Sequence, residues 1–124
     1  MTRRILTIVL WLIALGTVNV ASAETPQELT TQCQRGNAIA CSNLGYAYEM
    51  GNGVTQDDFK AVELYRKACD GKSATGCSNL GLMYANGTGV KQSVEDALTF
   101  YGRACDLKEK LGCENYARLK TGKK

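Results

Sequence analysis

Apolar side chains along this chain recur at helical spacing, and the pattern itself returns every 36 residues. Leu44 and Tyr48 lie four positions apart and therefore share one face of a helix. Leu80 and Tyr84 occupy the same two positions one period later. A repeat of this length is typical of stacked helical units that bury their apolar faces against one another. The pattern predicts helices at residues 26–35, 38–50, 58–69 and 74–86, then one that opens at 93–96, and a last one at 111–119.

Capping residues and glycines separate these predicted helices. Pro26 suits the first position of a helix, and Asp57 can cap the helix that begins after it. The run from Ser93 to Asp96 resembles a capping box. Gly51 and Gly53 end the second helix, because glycine adopts the left-handed backbone conformation without a steric penalty. The chain is therefore predicted to be all-α, with antiparallel helix pairs forming a short superhelix.

Six cysteines follow the same period. They form three pairs whose members are 8 residues apart, namely Cys33/Cys41, Cys69/Cys77 and Cys105/Cys113. Equal spacing in three equivalent units predicts three local disulfide bonds, one within each pair. Zinc binding is the competing use of cysteine, but it usually requires close C-x-x-C pairs, and the sequence has none. We therefore predict structural disulfides and expect neither a metal nor a cofactor.

The first 23 residues have the features of a secretory signal peptide. A basic start, Met1 to Arg4, precedes an almost wholly apolar run from Ile5 to Leu15, and Ala21-Ser22-Ala23 supplies the small residues of a cleavage site. The apolar run is shorter than the ~20 residues of a membrane-spanning helix. We predict cleavage after Ala23, general secretion, no membrane anchor afterwards, and a periplasmic or secreted product. An oxidising compartment also suits disulfides.

Charge gives little guidance to a partner. Removing Arg3 and Arg4 from the 15 basic residues leaves 13, against 12 acidic residues. This balance gives no reason to expect binding to nucleic acid or to an anionic membrane surface. Residues 121–124 are predicted to be a basic, solvated tail after a domain at 24–120.

Two motifs indicate a family. Leu44-Gly45-x-x-Tyr48-x-x-Gly51-x-Gly53-Val54, followed by Ala61-x-x-x-Tyr65-x-x-Ala68, resembles the Sel1-like repeat, a relative of the tetratricopeptide class. The cysteines resemble those of its cysteine-rich secreted branch, the Hcp family. The resemblance implies a right-handed α/α solenoid, with repeats at about 38–73 and 74–109 and half repeats at both ends. It also implies a protein-interaction module.

β-Lactam hydrolysis is the alternative function, because family descriptions of the cysteine-rich branch carry a β-lactamase label. The chain contains no histidine, which is the commonest general base. It also lacks the Ser-x-x-Lys motif of serine β-lactamases, and Lys120-Thr121-Gly122 alone resembles only their third motif. We therefore predict no catalytic residue, and any penicillin binding or slow hydrolysis is implied by the resemblance only.

An asparagine ladder supplies the candidate binding residues. Asn43, Asn79 and Asn115 recur every 36 residues on the helices that line the inner surface in this type of fold. Two interpretations stay open: capture of the backbone of an extended peptide, or a hydrogen bond to the adjacent helix. The neighbouring candidates on the same surface are Tyr46, Glu49, Met50, Leu82, Met83 and Asn86. The expected partner is a protein or peptide, and the chain is expected to be a monomer.

Overall fold

The computed structural model describes residues 24–122, and this part of the chain contains six helices and no strands. The helices are α1 Pro26–Gln34, α2 Ala38–Met50, α3 Asp58–Asp70, α4 Ala74–Asn86, α5 Val94–Asp106 and α6 Lys110–Lys120. The signal peptide predicted at 1–23 lies outside the described residues, as do Lys123 and Lys124 of the predicted tail. No helix within residues 24–122 is long and apolar enough to cross a membrane.

The helices pack in two layers. Each helix contacts the next one along the chain, and α2 also contacts α4, which in turn contacts α6. These contacts place α2, α4 and α6 side by side in one layer, which we call the inner layer. The helices α1, α3 and α5 pack against them and form the outer layer. The predicted all-α solenoid of helix pairs is therefore confirmed.

The core lies between the layers and uses the predicted repeat positions. Leu44 and Leu80 are buried, and so are the α3 and α5 residues Tyr65 and Tyr101. Gly45 allows this packing, because a Cβ atom there would lie 2.8 Å from the Tyr65 ring. Gly81 has the same relation to Tyr101. The buried tyrosine of each repeat thus lies against a glycine on the preceding helix.

The helix ends follow the local capping rules. Gly51 and Gly87 end α2 and α4 in the left-handed conformation. The Ser93 side chain accepts a hydrogen bond from the backbone N–H of Asp96, which is one half of the predicted capping box. A complete capping box occurs instead at α1, between Thr25 and Glu28.

Three disulfide bonds join consecutive helices within the described residues. They link Cys33 to Cys41, Cys69 to Cys77 and Cys105 to Cys113. Each bond connects the last turn of an outer-layer helix to the first turn or two of the following helix. Disulfides of this kind indicate an oxidising environment outside the cytoplasm.

Candidate functional site

Eight accessible side chains of α2, α4 and α6 form what we call the inner face. They occupy equivalent positions 36 residues apart, and the set consists of Asn43, Tyr46, Met50, Asn79, Leu82, Asn86, Asn115 and Arg118. Helical geometry produces this arrangement, because residues spaced by three and four positions project from the same side of a helix. Three large apolar residues in the set stay solvent-exposed, with exposed fractions of 50% for Tyr46, 53% for Met50 and 43% for Leu82. Such exposure makes them available to a partner.

The three predicted asparagines all lie on the inner face, with different surroundings. Asn43 is exposed, whereas Asn79 and Asn115 are half-buried. The Asn79 side chain of α4 acts to lower the pKa of the Tyr65 hydroxyl on α3, against the larger effects that raise it. Both interpretations of the asparagine ladder, peptide capture and a hydrogen bond to the adjacent helix, therefore stay predictions.

Glu49 is engaged inside the fold. The Tyr65 hydroxyl donates a hydrogen bond of 2.5 Å to its Oε2 atom. Burial raises the pKa of Tyr65 far above its ordinary value, and the hydrogen bond and negative charge of Glu49 raise it further. The Tyr65 hydroxyl is therefore a neutral donor throughout the physiological range, and it holds the Glu49 carboxylate in place.

Met83 does not belong to the accessible surface, so its prediction as a binding residue is wrong. Its side chain is only 2% exposed and belongs to the hydrophobic core. The physical reason is its direction on α4: position 83 is equivalent to the buried Ala47 of α2, which points between the two layers. A comparison of Met83 with Ala47, 36 residues earlier, would have revealed this. Both residues occupy the same inward position, where the larger Met83 side chain fills the core.

A pocket of about 390 Å³ opens between α4 and α6. It brings together three of the predicted residues, Leu82, Asn86 and Asn115, and its other lining residues are Ala85, Tyr101, Arg118 and Leu119. Neither Tyr101 nor Arg118 is among the binding residues that the sequence predicts. The signal for Arg118 was present, because it follows Tyr46 and Leu82 at the period of 36.

Tyr101 and Arg118 give the pocket its polar character. The Tyr101 ring is buried, and burial raises the pKa of its hydroxyl, while the positive charge of Arg118 acts in the opposite direction. The Tyr101 hydroxyl makes no side-chain hydrogen bond between residues 24 and 122, and no buried side-chain polar atom there lacks a partner. This hydroxyl is therefore open to the pocket rather than sealed in the core.

The inner face offers hydrogen-bonding groups and exposed apolar side chains. Carboxamides, a phenol and a guanidinium can donate or accept hydrogen bonds, and the exposed Tyr46, Met50 and Leu82 can bury apolar surface. Among residues 24–122, no three His, Cys, Asp or Glu side chains come close enough together to hold a metal ion.

Comparisons with known proteins agree with this architecture. The chain matches the family model described as Sel1 repeat at residues 38–73 and 74–109. No curated protein matches it. It is similar in structure to cysteine rich protein B of Helicobacter pylori, with 32% identity and a TM-score of 0.70, over 72% of this chain and 67% of that one.

Two longer structures are also similar. One is a Sel1 repeat protein from Oxalobacter formigenes, with 28% identity and a TM-score of 0.70; the match covers 73% of this chain and 37% of that one. The other is a protective antigen of uropathogenic Escherichia coli with an SLR fold, with 27% identity and a TM-score of 0.69. That match covers 71% of this chain and 19% of the antigen. The chain thus spans only a part of the length of these two proteins.

Proposed function

We propose that this chain, which belongs to the Sel1 repeat family, is an exported module that binds a protein or peptide partner through its inner face. The observation that carries the proposal is the regular exposure of Tyr46, Met50 and Leu82 beside the asparagine ladder. Exposed aromatic and long apolar side chains among polar groups are the composition expected of a protein-binding surface. The resemblance to the Sel1-like repeat, which implies a protein-interaction module, points the same way.

Export is the second part of the proposal. Its support is the disulfide framework, which persists in an oxidising compartment, together with the signal-like pattern of residues 1–23. We expect the processed protein to begin at Glu24, to be periplasmic or released, and to be a monomer. N-terminal sequencing of the protein from each cell fraction, with light scattering for its mass, tests these points.

Substitutions on the inner face test partner binding. We expect the double variant Tyr46→Ala/Leu82→Ala to lose a partner that cross-links to the wild-type protein in the native envelope. Phe59→Ala is the matched control, because Phe59 is 74% exposed but lies on the outer-layer helix α3. Equal recovery of the partner by the double variant and by wild type, with the fold retained, would contradict the proposal.

β-Lactam hydrolysis is the competing function, and it has only the family resemblance behind it. The sequence offers neither histidine nor a Ser-x-x-Lys nucleophile for it. Turnover of a chromogenic β-lactam by the oxidised, purified protein separates the two functions. We expect no turnover above the uncatalysed rate. Turnover that follows the protein through purification would show that it is an enzyme and would contradict the proposed binding module.

A further inference from the structure

The two buried tyrosines that lie 36 residues apart, Tyr65 and Tyr101, have different polar partners. In the first repeat, the Tyr65 hydroxyl donates to the carboxylate of Glu49, which is supplied by the preceding helix. The residue equivalent to Glu49 in the second repeat is Ala85. The side chain that would reach the Tyr101 hydroxyl there is therefore missing, and the pocket between α4 and α6 lies beside this position.

A second substitution changes the charge at the same place. Leu82 lies on the inner-layer helix that follows Tyr65, and its equivalent after Tyr101 is Arg118. Arg118 is exposed, lines the pocket, and makes no ion pair with any residue between 24 and 122. The second repeat has thus lost an internal carboxylate and gained a cation at the mouth of the resulting space.

We propose that the pocket between α4 and α6 binds a carboxylate group of the peptide or protein partner, in the position that the Glu49 side chain occupies in the first repeat. Arg118 supplies the charge, and the Tyr101 hydroxyl and the carboxamides of Asn86 and Asn115 supply hydrogen-bond donors. Leu82 and Leu119 provide an apolar wall for the side chain next to the carboxylate. This inference rests on the proposed function and specifies the ligand chemistry of the same face.

Three short peptides test the proposal and distinguish the possible sources of the carboxylate. They are acetyl-Ala-Ala-Leu-Ala with a free C-terminal carboxylate, the same peptide with a C-terminal amide, and acetyl-Ala-Glu-Leu-Ala-amide. NMR titration of the oxidised protein follows the side-chain signals of Asn86, Asn115 and Arg118. We expect saturable shifts with the first peptide, the third or both, and not with the neutral amide.

Selective binding of the first peptide identifies a chain terminus as the ligand, and selective binding of the third identifies an acidic side chain. Either result supports the proposal. Binding of none of the three, or equal binding of the neutral amide, overturns it. Inorganic phosphate that competes as well as the carboxylate peptide also overturns it, because the pocket would then be an unselective anion site.

Variants assign the binding to the named groups. Arg118→Gln is expected to weaken binding about tenfold or more, because it removes a charge-assisted contact. Tyr101→Phe keeps the ring that packs on Gly81 and is expected to weaken binding several-fold, by about the effect of one hydrogen bond. Ala85→Glu restores the first repeat's arrangement and is expected to abolish binding, since its own carboxylate fills the position.

Glu49→Ala is the matched control, because it opens the equivalent space in the first repeat without adding an arginine. We expect it to create no second carboxylate site and to leave binding at the α4–α6 pocket unchanged. Binding that is unaffected by Arg118→Gln in a folded protein would overturn the proposal. If the peptides fail while partner capture still depends on Tyr46 and Leu82, only the carboxylate site is lost and the binding module stands.

Discussion

Tyr65 combines a structural and a polar role in a single side chain. Its ring packs beneath Gly45, and its hydroxyl reaches across the layer boundary to the Glu49 carboxylate. A buried phenol that donates to a carboxylate is satisfied only in its neutral form, since ionisation would bring two negative charges together. The folded state therefore holds the proton on Tyr65 more tightly than the unfolded chain does.

Alkaline pH should consequently destabilise the protein through Tyr65. Its folded-state pKa is raised above the unfolded value of about 10, so the stabilisation is complete below that pH and is lost as the pH rises beyond it. We expect this group to lower the free energy of unfolding by about 1.4 kcal/mol for each pH unit above about pH 10. Urea titrations of wild type and Tyr65→Phe measure the effect as the difference between their slopes. Parallel pH dependences would contradict it.

The candidate site was predictable only as far as periodicity reaches. Spacing placed Asn43, Asn79 and Asn115 on one face because helical direction depends on sequence position alone. Spacing placed Met83 wrongly, since only a small rotation about the helix axis separates the accessible face from the core. Two other features depend on how far side chains reach between helices: the pairing of Tyr65 with Glu49 and the pocket beside Tyr101. That distance cannot be read from the spacing of residues along a single sequence.

At the scale of the helices, small residues set how closely consecutive elements approach. Gly76 lies in the first turn of α4, where an added Cβ would lie 2.6 Å from the Ala68 Cβ of α3. Gly112 repeats this relation to Ala104 at the start of α6. Both positions lie next to a disulfide cysteine, so the glycine and the bond together hold the two helix ends in contact.

Gly76→Ala should therefore destabilise the protein even though alanine is the better helix former. We expect overpacking to cost about 1–3 kcal/mol, which outweighs the helix-propensity gain of about 1 kcal/mol. Gly102→Ala is the control, because Gly102 lies within α5 and an added Cβ there would be 3.6 Å from its nearest neighbour, the Tyr116 ring of α6. That distance is an ordinary van der Waals contact. Thermal unfolding should show a lower midpoint for Gly76→Ala and a higher one for Gly102→Ala. A stabilised Gly76→Ala variant would show that the helices can move apart at little cost.

Most helix boundaries were predictable because they depend on local chemistry. The predicted bounds of α2 and α4 agree with the structure at both ends, since glycines stop these helices at Gly51 and Gly87. The first helix ends one residue earlier than predicted, at Gln34, and the third continues one residue further, to Asp70. At both ends the C-cap residue, Arg35 or Gly71, has a negative φ, so no left-handed cap fixes the last residue of the helix as it does at Gly51 and Gly87.

On the scale of the described residues, 24–122, the solenoid has three inner-layer helices, and the last of them differs from the first. Tyr116 and Lys120 of α6 occupy the positions of Leu44 and Tyr48 in α2. The Lys120 ammonium lies 5.4 Å from the centre of the Tyr116 ring, an arrangement that suits a water-facing helix surface. The described array therefore relies on few stacked units, and local cross-links matter more than they would in a long repeat protein.

A reductant should break the three disulfide bonds in an order set by the burial of their cysteines. Cys33, Cys41, Cys69 and Cys77 are all buried, whereas Cys105 and Cys113 are only half-buried at the α5–α6 junction. Thiol–disulfide exchange requires a thiolate to reach a sulfur atom, so a reductant should open the Cys105–Cys113 bond first. Limited reduction, alkylation of the freed thiols and mass mapping of the fragments report this order. Initial labelling at Cys69 and Cys77 would contradict it.

Loss of one such bond should cost about 2–3 kcal/mol, from the chain entropy of a short closed loop. That is a large fraction of the roughly 5–15 kcal/mol by which a domain of this size is stable. The double variants Cys105→Ser/Cys113→Ser and Cys69→Ser/Cys77→Ser each remove a bond that closes a loop of the same length, so chain entropy predicts equal losses. We expect the second variant to lose more, because it also places two polar hydroxyls in the core between α3 and α4, where burial without partners is unfavourable. Urea unfolding of the two variants measures this difference, and equal losses would show that loop entropy alone accounts for the contribution of the bonds.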